Sequence, residues 1–216
     1  MRRQPELRAK VVFMGNSGVG KTSIILRDIE KFTSDVTSTL GVNFVQSSMW
    51  ANFYQIFLPL NFSAYRPSKV LELEIWDTVG TEKYACTMPC YLRHANGVFL
   101  VFDVTSRRSF KDLSRWYGEL ENATNVSGLC LILVGNKIDL DDKRTVDANE
   151  AKEFAKLKSM IYVETSALLN RGIEEMMGTM GKLIVDRYEC KHLSSQSKIE
   201  CLDSNFIKLK SHCNCN

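Results

Sequence analysis

The chain has 216 residues, 44% hydrophobic and 25% charged, with a formal net charge of +3. That length suits one domain and a tail, and the apolar share is enough for a sizeable core. So small a charge makes no case for a nucleic-acid partner, and none is expected; nor does any apolar run reach the length of a membrane-spanning helix.

Met1 to Ala9 is polar and carries no secretory signal. The seven cysteines therefore read as reduced thiols. The first strand is predicted at Lys10-Val11-Val12-Phe13-Met14, and directly after it stands Gly15-Asn16-Ser17-Gly18-Val19-Gly20-Lys21-Thr22. Strand, glycine-rich loop and helix start, with the spacing G-x-x-x-x-G-K-[ST], make a phosphate-binding P-loop. Gly15, Gly18 and Gly20 let the backbone turn its N–H groups toward phosphate oxygens. Lys21 brings a positive charge to the outer phosphates, the Thr22 hydroxyl is a Mg²⁺ ligand, and the helix beginning here adds its dipole. The nucleotide-facing set is Asn16, Ser17, Gly18, Val19, Gly20, Lys21, Thr22 and Ser23.

Further apolar runs lie near 70–76, 97–104, 129–134 and 160–164. Amphipathic stretches separate them, among them Ser109 to Leu120 and Asp147 to Leu157, the latter opened by the capping-box-like Asp147-x-x-Glu150. Cys86 and Cys90 are four residues apart but have no matching second pair, so packing is the reading there. The alternation predicts an α/β fold, a mostly parallel central sheet flanked by helices on both faces, with ligand loops at the carboxyl ends of strands.

Two of those ends carry base chemistry. The run Leu129 to Val134 leads into Gly135-Asn136-Lys137-Ile138-Asp139. The Asp139 carboxylate suits the N1–H and exocyclic amino group of guanine, a donor pair that adenine lacks. Asn136 is placed to bridge loops and the base edge, and the Lys137 stem to lie along the purine. The run Ile161-Tyr162-Val163 leads into Glu164-Thr165-Ser166-Ala167-Leu168, where a backbone N–H near Ala167 suits the guanine carbonyl oxygen. Ser166, Ala167 and Leu168 complete the base set. From about Asp186 the periodicity is lost and a Ser-, Lys- and Asn-rich tail is expected to be disordered.

Over about residues 8–185 these motifs resemble a small GTPase of the Ras superfamily, most closely the Rab family. The resemblance implies a P-loop small G-domain over 1–185 and a flexible tail over 186–216. Thr39-Leu40-Gly41-Val42-Asn43-Phe44 resembles switch I, and Asp77-Thr78-Val79-Gly80 resembles the D-T-A-G that opens switch II. Thr39 then implies a Mg²⁺ ligand that also meets the γ-phosphate, as the Gly80 N–H does, while Asp77 holds Mg²⁺ through water. Phe32 matches the ring that lies against guanine. Phe44, Trp76 and Tyr91 match the aromatic triad that meets effectors. The implied function is a GTP/GDP switch in vesicle transport, with Lys21, Thr39, Gly80 and residue 81 in hydrolysis. The implied partners are effectors, a guanine-nucleotide exchange factor, a GTPase-activating protein, a prenylation escort and a GDP-dissociation inhibitor. The implied location is the cytoplasmic face of intracellular membranes, in exchange with cytosol.

The chain departs from that pattern in three places. Thr81 stands where Gln normally orients the attacking water, and Val79 replaces alanine. Slow intrinsic hydrolysis is expected; the alternative is a GTP-bound scaffold with a constant effector surface. Between about Trp50 and Lys69, where the family has a short hairpin, roughly fifteen extra residues occur. These residues, apolar from Phe53 to Phe62 apart from Gln55, Pro59 and Asn61, are read as a projecting partner- or membrane-contact patch, as a segment folded back on the domain, or as an inert stretch such as a translated intron or other gene-model error. Cys213-Asn214-Cys215-Asn216 fits a C-a-a-X box poorly but resembles a Rab tail geranylgeranylated on both Cys213 and Cys215. Two lipid chains anchor stably where one is marginal.

Overall fold

The computed structural model describes residues 7–28, 46–47, 50–51, 54–57, 70–78 and 88–196. Strand β1 (Leu7–Met14) runs into the glycine-rich loop and helix α1 (Lys21–Asp28). Two short strands, β2 (Gln46–Ser47) and β3 (Trp50–Ala51), pair with each other. Then come β4 (Tyr54–Phe57), β5 (Val70–Asp77), helix α2 (Met88–Leu92) and β6 (Gly97–Asp103). Helices α3 (Arg107–Lys111) and α4 (Leu113–Ala123) precede β7 (Cys130–Asn136). Helix α5 (Ala148–Leu157), β8 (Ile161–Thr165) and α6 (Ile173–Gln196) follow.

The main sheet has the order β4-β5-β1-β6-β7-β8. All neighbours are parallel except β4, which pairs antiparallel to β5 with Tyr54 opposite Leu73 and Ile56 opposite Leu71. The α/β expectation therefore stands, and the apolar runs fall on β1, β5, β6, β7 and β8. Strands β6 and β7 are buried throughout, as central parallel strands must be. Their alternation divides the core. Val98, Leu100 and Phe102 pack with Met88, Leu113, Trp116 and Ala151 from helices on one face. On the other face Gly97 lies so close to α6 that a Cβ there would meet Met180 Sδ at 2.4 Å.

Helices α3 and α4 abut at Asp112, which keeps helical backbone angles and donates its N–H to the Arg108 carbonyl while its own carbonyl accepts from the Trp116 backbone N–H, so the amphipathic stretch Ser109 to Leu120 is helical across the junction. Two expectations change. At α5 the Asp147 carboxylate accepts from the Asn149 N–H, but Glu150 forms an ion pair with Arg107 instead of closing the box. Guanidinium is the stronger partner for a carboxylate. Helix α6 continues past Asp186 to Gln196, so loss of amphipathic periodicity did not end it. By internal contacts the chain divides into two compact units, 1–184 and 185–216.

The segment read as an insertion is partly in the sheet. Its residues 54–57 are β4, an edge strand, which favours the folded-back reading for those four residues. The rest of 52–69 lies outside the described residues.

Candidate functional site

The glycine-rich loop joins β1, a central strand, to α1. Gly15 has φ +140°, and a Cβ there would stand 2.1 Å from the Val101 carbonyl oxygen of β6. Gly20 has φ +97°, and its Cβ would meet Asn136 Nδ2 at 2.3 Å. No other residue type allows both the backbone angles and these approaches. Gly20 also accepts the Ile24 N–H at 2.9 Å, the first bond of α1.

Lys21 opens that helix with only 6% of its surface exposed. Its ammonium donates to the Gly15 carbonyl at 2.8 Å and the Asn16 carbonyl at 2.9 Å. Burial lowers its pKa to about 8, a shift that the nearby Asp77 carboxylate partly offsets. Asp77, at the end of β5, is 3% exposed, and burial raises its pKa against the opposing pull of Thr22 and Lys21. The Thr22 hydroxyl donates to Asp77 Oδ2 at 2.5 Å. Asp77 Oδ1 is buried without a hydrogen-bond partner. Thr78 donates to the Phe13 carbonyl at 2.6 Å, which pins the end of β5 to β1. Of the remaining loop residues, Ser17 and Gly18 are exposed, Asn16 and Ser23 are half-buried and Val19 is buried.

A second cluster lies at the ends of β7 and β8. Asn136, 1% exposed, donates to the Val19 carbonyl at 2.9 Å and accepts from Thr165 Oγ1 at 3.2 Å and the Ala167 N–H at 3.3 Å. It therefore ties the glycine-rich loop to the loop after β8. Ser166 donates to Asp139 Oδ1 at 2.5 Å. Lys137 takes a left-handed backbone, φ +69°, and its ammonium lies 2.6 Å from Asp103 Oδ2 at the end of β6. Leu168 is 55% exposed. Arg27, in the last turn of α1, donates to the carbonyls of Ala167 at 2.7 Å and Leu168 at 2.8 Å.

The geometry thus brings together Lys21, Thr22 and Asp77, and separately Asn136, Lys137, Asp139, Ser166 and Ala167, with Asn136 linking the two groups. Phe32, Thr39, Phe44, Val79, Gly80, Thr81, Cys213 and Cys215 lie outside the described residues. Trp76 and Tyr91 are half-buried with ring centroids 6.2 Å apart, and Lys10 Nζ stands 3.8 Å over the Trp76 ring. Sequence reasoning missed Asp103 and Arg27. The first stands at the carboxyl end of a central strand, a position from which it was findable. The second has no local signal.

The Ras family model matches residues 10–186. The chain belongs to the Ras family. It is 38% identical over 179 residues to the Ras-related protein Rab-17 of Mus musculus, covering 83% of this chain and 77% of that protein. It is 34% identical over 190 residues to the GTP-binding protein YPT1 of Saccharomyces cerevisiae, covering 88% and 84%. Over 166 residues it is 37% identical to the Ras-related protein Rab-18-B of Danio rerio, covering 76% and 73%. This Ras-family protein is thus a Rab-like small GTPase that binds guanine nucleotides, and the α/β fold is that of its G-domain.

Proposed function

We propose that the protein is a Rab-type GTP/GDP switch that regulates vesicle transport, with low intrinsic hydrolysis. The observation that carries the site assignment is the convergence of Lys21, Thr22 and Asp77 at one loop, with a buried carboxylate oxygen left unpartnered. A hydroxyl beside a buried carboxylate is an all-oxygen donor set, which suits a small hard cation. Mg²⁺ fits: Thr22 and Asp77 would hold it, with Thr39 as a third contributor by resemblance. When bound, it offsets the negative charge of the outer phosphates.

The chain's own groups do the rest. Lys21 presents its ammonium to the outer phosphates, and the loop N–H groups from Asn16 to Ser23 line the same anion. Asp139, held by Ser166, accepts from the guanine edge, while Asn136 keeps the phosphate and base loops in register. Phe32 covers the base. In hydrolysis, water attacks the γ-phosphorus and the bond to the bridging oxygen breaks, giving GDP and phosphate. Thr39 and Gly80 contact the γ-phosphate, and its loss releases both segments. Thr81 is too short to orient the water as Gln does, so turnover depends on a GTPase-activating protein.

The switch is displayed through Phe44, Trp76 and Tyr91 to effectors. An exchange factor reloads it. Geranylgeranylation at Cys213 and Cys215, delivered by a prenylation escort, holds it on the cytoplasmic face of intracellular membranes, and a GDP-dissociation inhibitor returns it to cytosol. A single turnover of radiolabelled GTP tests the hydrolysis account. Thr81→Gln is expected to hydrolyse GTP faster than the wild type without an activator; an unchanged rate overturns the role given to Thr81. GTP that stays bound even with a Rab-type activating protein favours the constant scaffold.

A further inference from the structure

Asn16 has a bonding pattern that nucleotide contact does not account for. Its Nδ2 donates to Asp112 Oδ2 at 2.6 Å, and its Oδ1 accepts from Trp116 Nε1 at 2.7 Å. Both ends of the amide are used, and the partners fix its orientation. An indole can only donate and a carboxylate can only accept. Asp112 and Trp116 are one helical turn apart, so they present both groups from one side. Asp112 sits at the junction of α3 and α4 with helical backbone angles, and the Trp116 N–H accompanies an indole that is 1% exposed. Arg108 stands 3.9 Å from the same Asp112 oxygen on an exposed side chain, beyond hydrogen-bond distance. The Asn16 backbone carbonyl, meanwhile, accepts from the Lys21 ammonium at 2.9 Å.

We infer that Asp112 and Trp116 are positioning residues for the outer phosphates: they clamp Asn16, and Asn16 sets where Lys21 is held. The buried face of α4 thereby acts as the anvil of the glycine-rich loop. With its side chain unclamped, the backbone at Asn16 would be freer to shift, moving the carbonyl that holds Lys21 and giving the ammonium alternative resting places. Phosphate binding would then have to order the loop as well as neutralise it. This inference rests on the assignment of the glycine-rich loop as the phosphate site.

The experiment uses the full chain and compares release of GDP with affinity for GMP, which ends at the α-phosphate. Asp112→Ala and Trp116→Phe are each expected to speed GDP release about tenfold, the scale of one lost hydrogen bond. GMP affinity is expected to stay at the wild-type value. Asp112→Asn keeps an acceptor oxygen and is expected to restore slow release. Leu120→Ala removes a buried side chain from the same helix, away from Asn16, and is expected to lower the melting temperature without changing GDP release. Wild-type GDP release in Asp112→Ala overturns the inference. So does a loss of GDP and GMP affinity in equal proportion, or a release rate that follows melting temperature through Leu120→Ala as well. If Trp116→Phe does not fold, the half-buried Asp112 decides alone. Lys21→Ala reports separately on the phosphate-site assignment: unchanged GDP affinity there removes the assignment itself, whatever the clamp variants do.

Discussion

Lys21 meets two opposing demands. Without nucleotide its ammonium is almost fully removed from water and has two carbonyls and one carboxylate for company, which leaves its pKa near 8, below the ordinary 10.5. Bound phosphate favours the charged form, so binding above pH 8 must be accompanied by proton uptake. Nucleotide affinity is therefore expected to be level below pH 8. Between pH 8 and 9 it should fall, approaching about tenfold per unit. Titration of GDP affinity across pH 7–9 checks this, and a flat profile contradicts it. The effect on the empty fold has the other sign. The unfolded chain holds the lysine proton more tightly, so this group's contribution to stability rises with pH from about 8 to 10.5. At this scale the sequence was informative wherever function fixes spacing. Gly15, Lys21 and Thr22 are legible because they fall within one run of eight residues whose spacing is itself the motif. Asp112 and Trp116 were not, since Trp116 reaches Asn16 across 100 residues and neither is marked by its neighbours.

At the level of elements, the Asn136 side chain ties the glycine-rich loop to the loop after β8. Asn136→Ala would strand the Thr165 hydroxyl, the Ala167 N–H and the Val19 carbonyl at once. The expected loss is about 2–4 kcal/mol in the nucleotide-free protein, read from denaturant midpoints. A loss below half a unit of about 1 kcal/mol would mean that water replaces the amide. Apolar runs located five strands because burial on both faces leaves a continuous signature. Helix limits were less legible, and for reasons visible in particular residues. Glu150 leaves its capping role for Arg107, a partner from another helix. Helix α6 runs on to Gln196 through a stretch with little amphipathic pattern.

For the whole molecule, the most consequential result is that Tyr54–Phe57 closes one edge of the main sheet. Pairing between distant segments leaves no local trace, which is why those residues read as surplus. Deleting 51–67 would strip β4 from β5, opposite the buried Leu71 and Leu73. The variant is expected to unfold at lower denaturant and to scatter light on warming, because an uncovered strand edge recruits other chains. An unchanged midpoint and a clear solution would show β4 to be dispensable. A second whole-molecule property follows from α1. Lys21 at its first turn bonds the glycine-rich loop, and Arg27 in its last turn grips the loop after β8, the two loops proposed to hold phosphate and base. Six residues of helix separate them by about 9 Å. That rod works as a calliper whose jaws are set by residue count: one added residue would swing Arg27 by about 100° away from its carbonyls. In the proposed switch the phosphate and base loops are thereby geared together, so that prising one jaw open is expected to loosen the other.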